Sequence, residues 1–208
     1  MKIDFLAEPE LEFGSGRHID IRFGIMDYGP HDYGDALAPT EIRLGIVGVP
    51  EHVELTHGFL DRCRGEIPGA ATKQPNLRPR FPGFNRETAF RSTLVLSEKL
   101  TRTIPARRFD ELRRTDDANQ LIRGSVALII EELEYLDRNE RPDVLLCAVP
   151  QPLVDILDPA LRPGVPAGET VLNFHNMLKA AAIHLPPVQV MLPSTADPSR
   201  DRRAKRTK

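Results

Sequence analysis

The chain is 208 residues long, 40% hydrophobic and 28% charged, with a net charge of −2. That length supports one sizeable core and is too short for two comfortable domains, and the near-neutral charge excludes a global basic field of the kind that announces a nucleic-acid binder. No signal peptide opens the sequence and no apolar run reaches about 18 residues, which predicts a cytoplasmic protein without membrane spans.

Leu11–Phe13, the Gly14-Ser-Gly16 turn and Ile19–Ile25 read as a β-hairpin, because Ile19, Ile21, Phe23 and Ile25 alternate with Asp20, Arg22 and Gly24. A Gly-, Tyr- and Asp-rich loop follows to Pro39. Residues 1–41 are therefore predicted to be a leader that packs on a main domain. Ile42–Val49 is almost continuously apolar, as expected of a parallel strand covered on both faces. Pro50 and Glu51 open a helix that carries His52, Leu55, Phe59, Leu60 and Cys63 at helical spacing.

Gly65–Pro82 is a long Pro/Gly loop that enters Arg78-Pro-Arg-Phe-Pro-Gly-Phe84. It reads first as a Pro-fixed loop tucking its phenylalanines inward, and second as a nucleic-acid contact through Arg78 and Arg80. The abundance of Pro (19 residues) and the absence of Trp argue against a broad base-stacking platform. Thr93–Leu96 reads as a strand and Pro105–Arg114 as a short basic helix with Arg107, Arg108, Arg113 and Arg114 exposed. Asn119–Asn139 has the clearest helical period, in Ile122, Val126, Ile129, Leu133 and Leu136, with Asp116 or Asp117 available as cap. Glu131, Glu132 and Glu134 read as its solvated face. Val144–Val149 is a second fully apolar strand, and it holds Cys147; both cysteines read as buried thiols.

Asn173–Lys179 reads as a helix start, and Val188–Leu192 as the strand after it. Asn173 is the predicted N-cap. His175 and Lys179 stand four apart and so share a helix face, with Gln189 on the next element. Free backbone N–H groups, an ammonium, an imidazole and an amide suit a phosphate monoester. The plainer reading of the same residues is a solvated polar face. Arg200–Lys208 is a basic tail without apolar periodicity, expected to be disordered, with Arg200, Arg202 and Arg203 able to attract nucleic-acid backbone.

The order of elements predicts an α/β fold, a Rossmann-like, mostly parallel sheet with helices on both faces, over residues 42–195, with the tail at 196–208. Ligands in such sheets sit beyond the carboxyl ends of the strands, which places the loop after Val149 and the helix start at Asn173 near a site.

Five phrases, in order along the chain, carry a resemblance: Ala7–Phe13, Arg22–Pro30, Ile42–Gly48, Arg78–Phe84 and Phe174–Lys179. Together they resemble the N-terminal half of a short prokaryotic Argonaute. The resemblance implies that residues 42–195 are a MID domain preceded by a leader, with the PIWI half absent. It implies a guide 5′-phosphate site at His175, Lys179 and Gln189, and a loop, 151–168, beside the first guide base. The implied partners are a 5′-phosphorylated short guide RNA, a single-stranded DNA target and an APAZ-domain effector of the TIR or sirtuin-like type, in a defence against phages and plasmids. The family also knows a divalent ion, here Mg2+, bridging guide phosphates, for which the sequence shows no protein ligand. The chain would then be non-catalytic. Two alternatives stand beside this: a scaffold that docks the effector, and a nucleotide or phosphate-ester enzyme using His175, for which no Ser/His/Asp, Cys/His or P-loop pattern is present.

Overall fold

The computed structural model describes residues 8–114, 117–149, 153 and 172–197. They form two compact units, Met1–Ile42 with Leu60–Leu94, and Arg43–Phe59 with Val95–Lys208.

The fold is α/β. A short antiparallel hairpin pairs β1 (Leu11–Glu12) with β2 (Arg17–His18). A five-stranded, mostly parallel sheet follows, with β4 (Thr93–Val95), β3 (Glu41–Gly48), β6 (Val144–Ala148) and β7 (Val188–Met191) side by side, and β5 (Thr101–Thr103) also on β3.

The hairpin is shorter than its alternation predicts. Its second strand ends at His18, and Ile21–Tyr28 is a helix, α1. Two side-chain facts outweigh the period-two pattern. Asp20 caps the helix, its carboxylate accepting from the Arg22 backbone N–H at 2.8 Å. Gly24, which alternation would turn to solvent, is buried against Phe13, and a Cβ there would meet the ring at 2.1 Å. The Arg22 guanidinium beside Asp20 also holds its carboxyl well below the usual aspartate range.

In the second unit β3 runs parallel to β5, with Ile46 opposite Thr101, and to β6, with Gly48 opposite Ala148. Strand β6 in turn runs parallel to β7, with Leu145 opposite Val188. Helix α2 (Pro50–Cys63) leaves β3 toward one edge. Helices α3 (Ala106–Leu112) and α4 (Ala118–Glu140) bring the chain back to the other side of β3. Crossovers of one hand in opposite directions put their helices on opposite faces. The strand order therefore reverses between β3 and β6, the position where open parallel sheets form a ligand crevice. The two strand ends are close there: a Cβ on Gly48 would lie 2.4 Å from the Ala148 carbonyl oxygen.

The core on the α4 face contains Val47, Leu145, Cys147 and Val188 from the sheet, Ile122, Ile129, Leu133 and Leu136 from α4, and Phe174, Leu178 and Ala182 from the last crossover. Asp117 is the residue that caps α4, accepting from the Asn119 and Gln120 N–H groups. The helix closes with Arg141 in the left-handed region (φ 49°), just before Pro142 can no longer continue it. Asp143 then accepts from the Arg43 N–H at 2.7 Å and fixes the β3–β6 register. No helix among the described residues is long and apolar enough to cross a membrane.

Candidate functional site

Helix α5 (Phe174–Ala181) is placed by its apolar stripe. Phe174 and Leu178 are fully buried, and Ala182 follows one turn later. That 4-residue period leaves His175, Asn176, Lys179 and Ala180 exposed on the opposite side. Asn173 is the N-cap as expected, its side-chain oxygen accepting from the Asn176 N–H at 3.0 Å. The residue before it is tied down as well, since the Leu172 N–H donates to the Asn119 side-chain oxygen at 2.7 Å. Phe174→Ala would break this arrangement, at a cost of about 3–5 kcal/mol for a large aromatic removed from a core.

His175 and Lys179 share the exposed face but occupy opposite ends of the helix. His175 lies in the first turn, by the carboxyl ends of the strands. Lys179 lies in the last turn, where the chain turns back into β7. Its ammonium donates to the carbonyl of Val188, the first residue of that strand. An ammonium has three donors, so two N–H bonds remain, with no other acceptor for them among the described residues. The cup expected at the helix start is therefore drawn out along the helix, with its cation at the far end.

Gln189 is next to Val188 in sequence, opposite Leu146 in β6, and exposed. Successive strand residues face opposite sides of a sheet. Val188 packs into the α4 and α5 core, so the Gln189 side chain starts from the other face. Among the described residues its amide donates only to the neighbouring Val190 carbonyl, at 3.4 Å. The carbonyls of Pro187 and Met191 face β6, so those of Val188 and Val190 point to the outer edge of β7, where they accept from the Lys179 ammonium and the Gln189 amide respectively.

The other cationic candidates divide. Arg80 donates to Glu66 at 2.7 Å, with both side chains half exposed, while Arg78 is exposed without an ion-pair partner among the described residues. The phenylalanines of that loop, Phe81 and Phe84, cluster with Phe90, with Phe84 and Phe90 stacked at 4.2 Å, but all three are half-buried and none joins the core that was expected to take them. Arg107, Arg108, Arg113 and Arg114 are exposed. Arg200, Arg202 and Arg203, and the loop 151–168 apart from the buried Leu153, lie outside the described residues.

The acidic side of α4 is engaged in ion pairs. Glu132 accepts from Arg102 at 2.7 Å, which raises the guanidinium pKa further, and Arg102 also lies 4.1 Å over the Tyr135 ring. Glu134 faces Arg138 at 3.3 Å and His184 at 3.6 Å. Among the described residues no three His, Cys, Asp or Glu side chains group to hold a metal ion. Helix α5 and β7 carry no carboxylate, so these residues do not fit a protein-bound Mg2+. Cys147 is completely buried and burial pushes its thiol up to about 12; Cys63 is buried too and shifted in the same direction.

One arrangement has no signal in the local sequence. Arg91 lies 4.7 Å over the Tyr33 ring, two residues far apart in the chain, at the side of a cavity in the leader-bearing unit. The available cue is indirect, in the Tyr- and Asp-rich loop before Pro39.

No protein-family model matches the chain, and no curated protein matches it.

Proposed function

We propose that this chain is a non-catalytic module that holds the phosphorylated 5′ end of a short nucleic-acid strand, with Lys179 as its principal cation. The observation that carries this is the Lys179 ammonium at the start of β7, anchored by the Val188 carbonyl with two donors left. An exposed cation held by one backbone bond keeps its charge accessible and loses less freedom when a phosphate arrives. His175, on the same face, adds a second polar group toward the helix start, and the α5 N–H groups favour an anion there. Gln189 adds an amide on the same edge of β7, at the Val190 carbonyl. Two further points support the reading: the parallel α/β sheet is of the expected class, and the sequence resembles the leader and MID region of short prokaryotic Argonautes. On that resemblance the strand is a guide RNA, the target is single-stranded DNA, and the full system works in the cytoplasm against phages and plasmids. The buried thiol of Cys147 is no nucleophile, in keeping with a binding role.

The test is the affinity for matched 5′-phosphorylated and 5′-hydroxyl RNA strands at a fixed, stated salt concentration. The expected result is a preference for the phosphorylated strand that Lys179→Ala removes. Equal affinity of the wild-type chain for both strands overturns the reading.

A second reading, docking of an effector partner, draws on the leader's exposed apolar side chains. Ile19, Ile21 and Leu37 are 53%, 65% and 90% exposed. Co-purification with an APAZ-domain protein that survives Lys179→Ala but fails on Ile21→Asp would support it.

A further inference from the structure

The leader-bearing unit contains a cavity of about 420 Å3 whose side chains include Tyr33, Phe90, Arg91, Asp32, Asp35 and Arg86. The volume falls within the range of small-ligand pockets, roughly 300–1,000 Å3. Three features of its walls call for a cause. The backbone on both sides of Phe90 is left-handed, at Ala89 (φ 38°) and at Arg91 (φ 55°). Side-chain-bearing residues in that region are uncommon, and they cluster at ligand sites. The Arg91 guanidinium stacks over Tyr33 and donates to the Glu87 carbonyl. Its Nε–H is buried without a hydrogen-bond partner, and a buried donor left unmade in a native protein asks for an acceptor from elsewhere.

The charges decide what kind of ligand supplies it. Arg86 is matched by Glu41 at 2.5 Å. Arg91 shares the cavity with two carboxylates. Asp35 spends one oxygen on the Leu37 N–H at 3.0 Å, and Asp32 is exposed. The lining is therefore close to neutral and does not select an anion. It offers aromatic faces, one guanidinium donor and carboxylate acceptors.

We propose that this cavity takes a guanine base, placed against Tyr33 and Phe90, with Arg91 donating to the base's O6 and N7 and an aspartate carboxylate accepting from N1–H and the exocyclic amine. Guanine is the base that presents this pairing of acceptors and donors, and arginine to O6/N7 is its commonest specific contact. Base–aromatic stacking supplies sequence-tolerant affinity, and the polar edge supplies the choice of base. The base comes from a free nucleoside or from a residue splayed out of a single strand. This site is independent of the phosphate site at α5, because its ligand needs no phosphate.

The experiment uses guanosine, which carries no phosphate, titrated into the full chain and read by saturation-transfer NMR and calorimetry. Adenosine and uridine serve as comparators. Guanosine is expected to saturate, with its H8 proton receiving more saturation than the ribose protons. Tyr33→Ala removes a half-exposed ring and is expected to weaken binding about 10-fold, the effect of one lost stack. Arg91→Met removes every donor to O6 and N7 and is expected to erase the preference over adenosine; circular dichroism checks that both variants fold. A 5′-hydroxyl oligoribonucleotide with a single guanine distinguishes the two sources: tighter binding than guanosine identifies a strand, equal binding a free nucleoside. No saturable binding of guanosine to the folded chain, equal affinity for the three nucleosides, or guanosine affinity unchanged in Tyr33→Ala overturns the proposal.

Discussion

The Lys179 ammonium donates to the carbonyl of Val188, nine residues further along the chain, and so pins the last turn of α5 to the first residue of β7. This bond gives Lys179 a double part. It closes the α5–β7 connection and it presents a cation at a fixed place on the surface.

The three side chains expected at the phosphate are not equal in this geometry. Lys179→Ala is expected to cost the most, about 10-fold or more in the affinity for a 5′-phosphorylated strand, the scale of one charged hydrogen bond. His175→Ala is expected to cost less, and Gln189→Ala least, because a neutral amide offers an anion only an uncharged hydrogen bond. Fluorescence anisotropy of the three variants at one salt concentration gives the order. A Gln189→Ala effect larger than that of Lys179→Ala contradicts it.

The cap on α5 carries its own cost. Asn173→Ala removes the acceptor for the Asn176 N–H and is expected to destabilise the helix by about 0.5–2 kcal/mol. Hydrogen exchange is expected to quicken over 174–178 and not in α4. Asn173→Asp keeps an acceptor and is expected to restore protection.

Close approach of two strands gives a sharper effect. A Cβ at Gly48 meets the Ala148 carbonyl oxygen at 2.4 Å, and backbone atoms in a parallel ladder have little room to yield. Gly48→Ala is expected to lower stability by about 1–3 kcal/mol, as for an overpacked core position. Denaturant unfolding checks it. Gly58→Ala is the control, since nothing beyond its own stretch of helix backbone lies within 4 Å of a Cβ there; it is expected to be neutral or slightly stabilising, as Ala is the better helix former.

The leader has a pH signature of known sign. Asp20 has a folded pKa depressed mainly by its hydrogen bond to the Arg22 side chain. A carboxylate lowered in the folded state contributes stability above its unfolded pKa, about 3.9, and that contribution is lost as pH falls through the folded value. Both residues are solvent-accessible, so the effect is modest and screened by salt. Amide protection in α1 is expected to decline on acidification below about pH 4. Asp20→Asn is expected to keep an N-cap and abolish that dependence.

The sheet was legible because its strands are buried on both faces. Ile42–Val49 and Val144–Val149 show the continuous apolar runs that such burial requires, and Val126, Ile129 and Leu133 show the period of α4 just as plainly. The leader misled because Ile19, Ile21, Phe23 and Ile25 fit the period of a strand, while the forces that chose a helix were a cap at Asp20 and contact between Gly24 and Phe13. Neither is a periodic signal. The α5 face was legible as a pair, His175 and Lys179, because four residues make a helical turn. Which way Lys179 reaches depends on the turn into β7, and the position of Gln189 depends on strand register and alternation, both set by tertiary packing. Tyr33 and Arg91 meet only through the fold, and sequence spacing carries no trace of that.

The most direct measurement is a cycle that couples the phosphate to the lysine. Four affinities are needed, of wild type and Lys179→Met, each for the 5′-phosphorylated and the 5′-hydroxyl strand, at one salt concentration. Met keeps most of the side chain's apolar length and removes the charge. The wild-type chain is expected to prefer the phosphorylated strand, and the variant to bind both alike. The same preference in both proteins would show that the phosphate is held elsewhere, or not at all, and would contradict the assignment of Lys179.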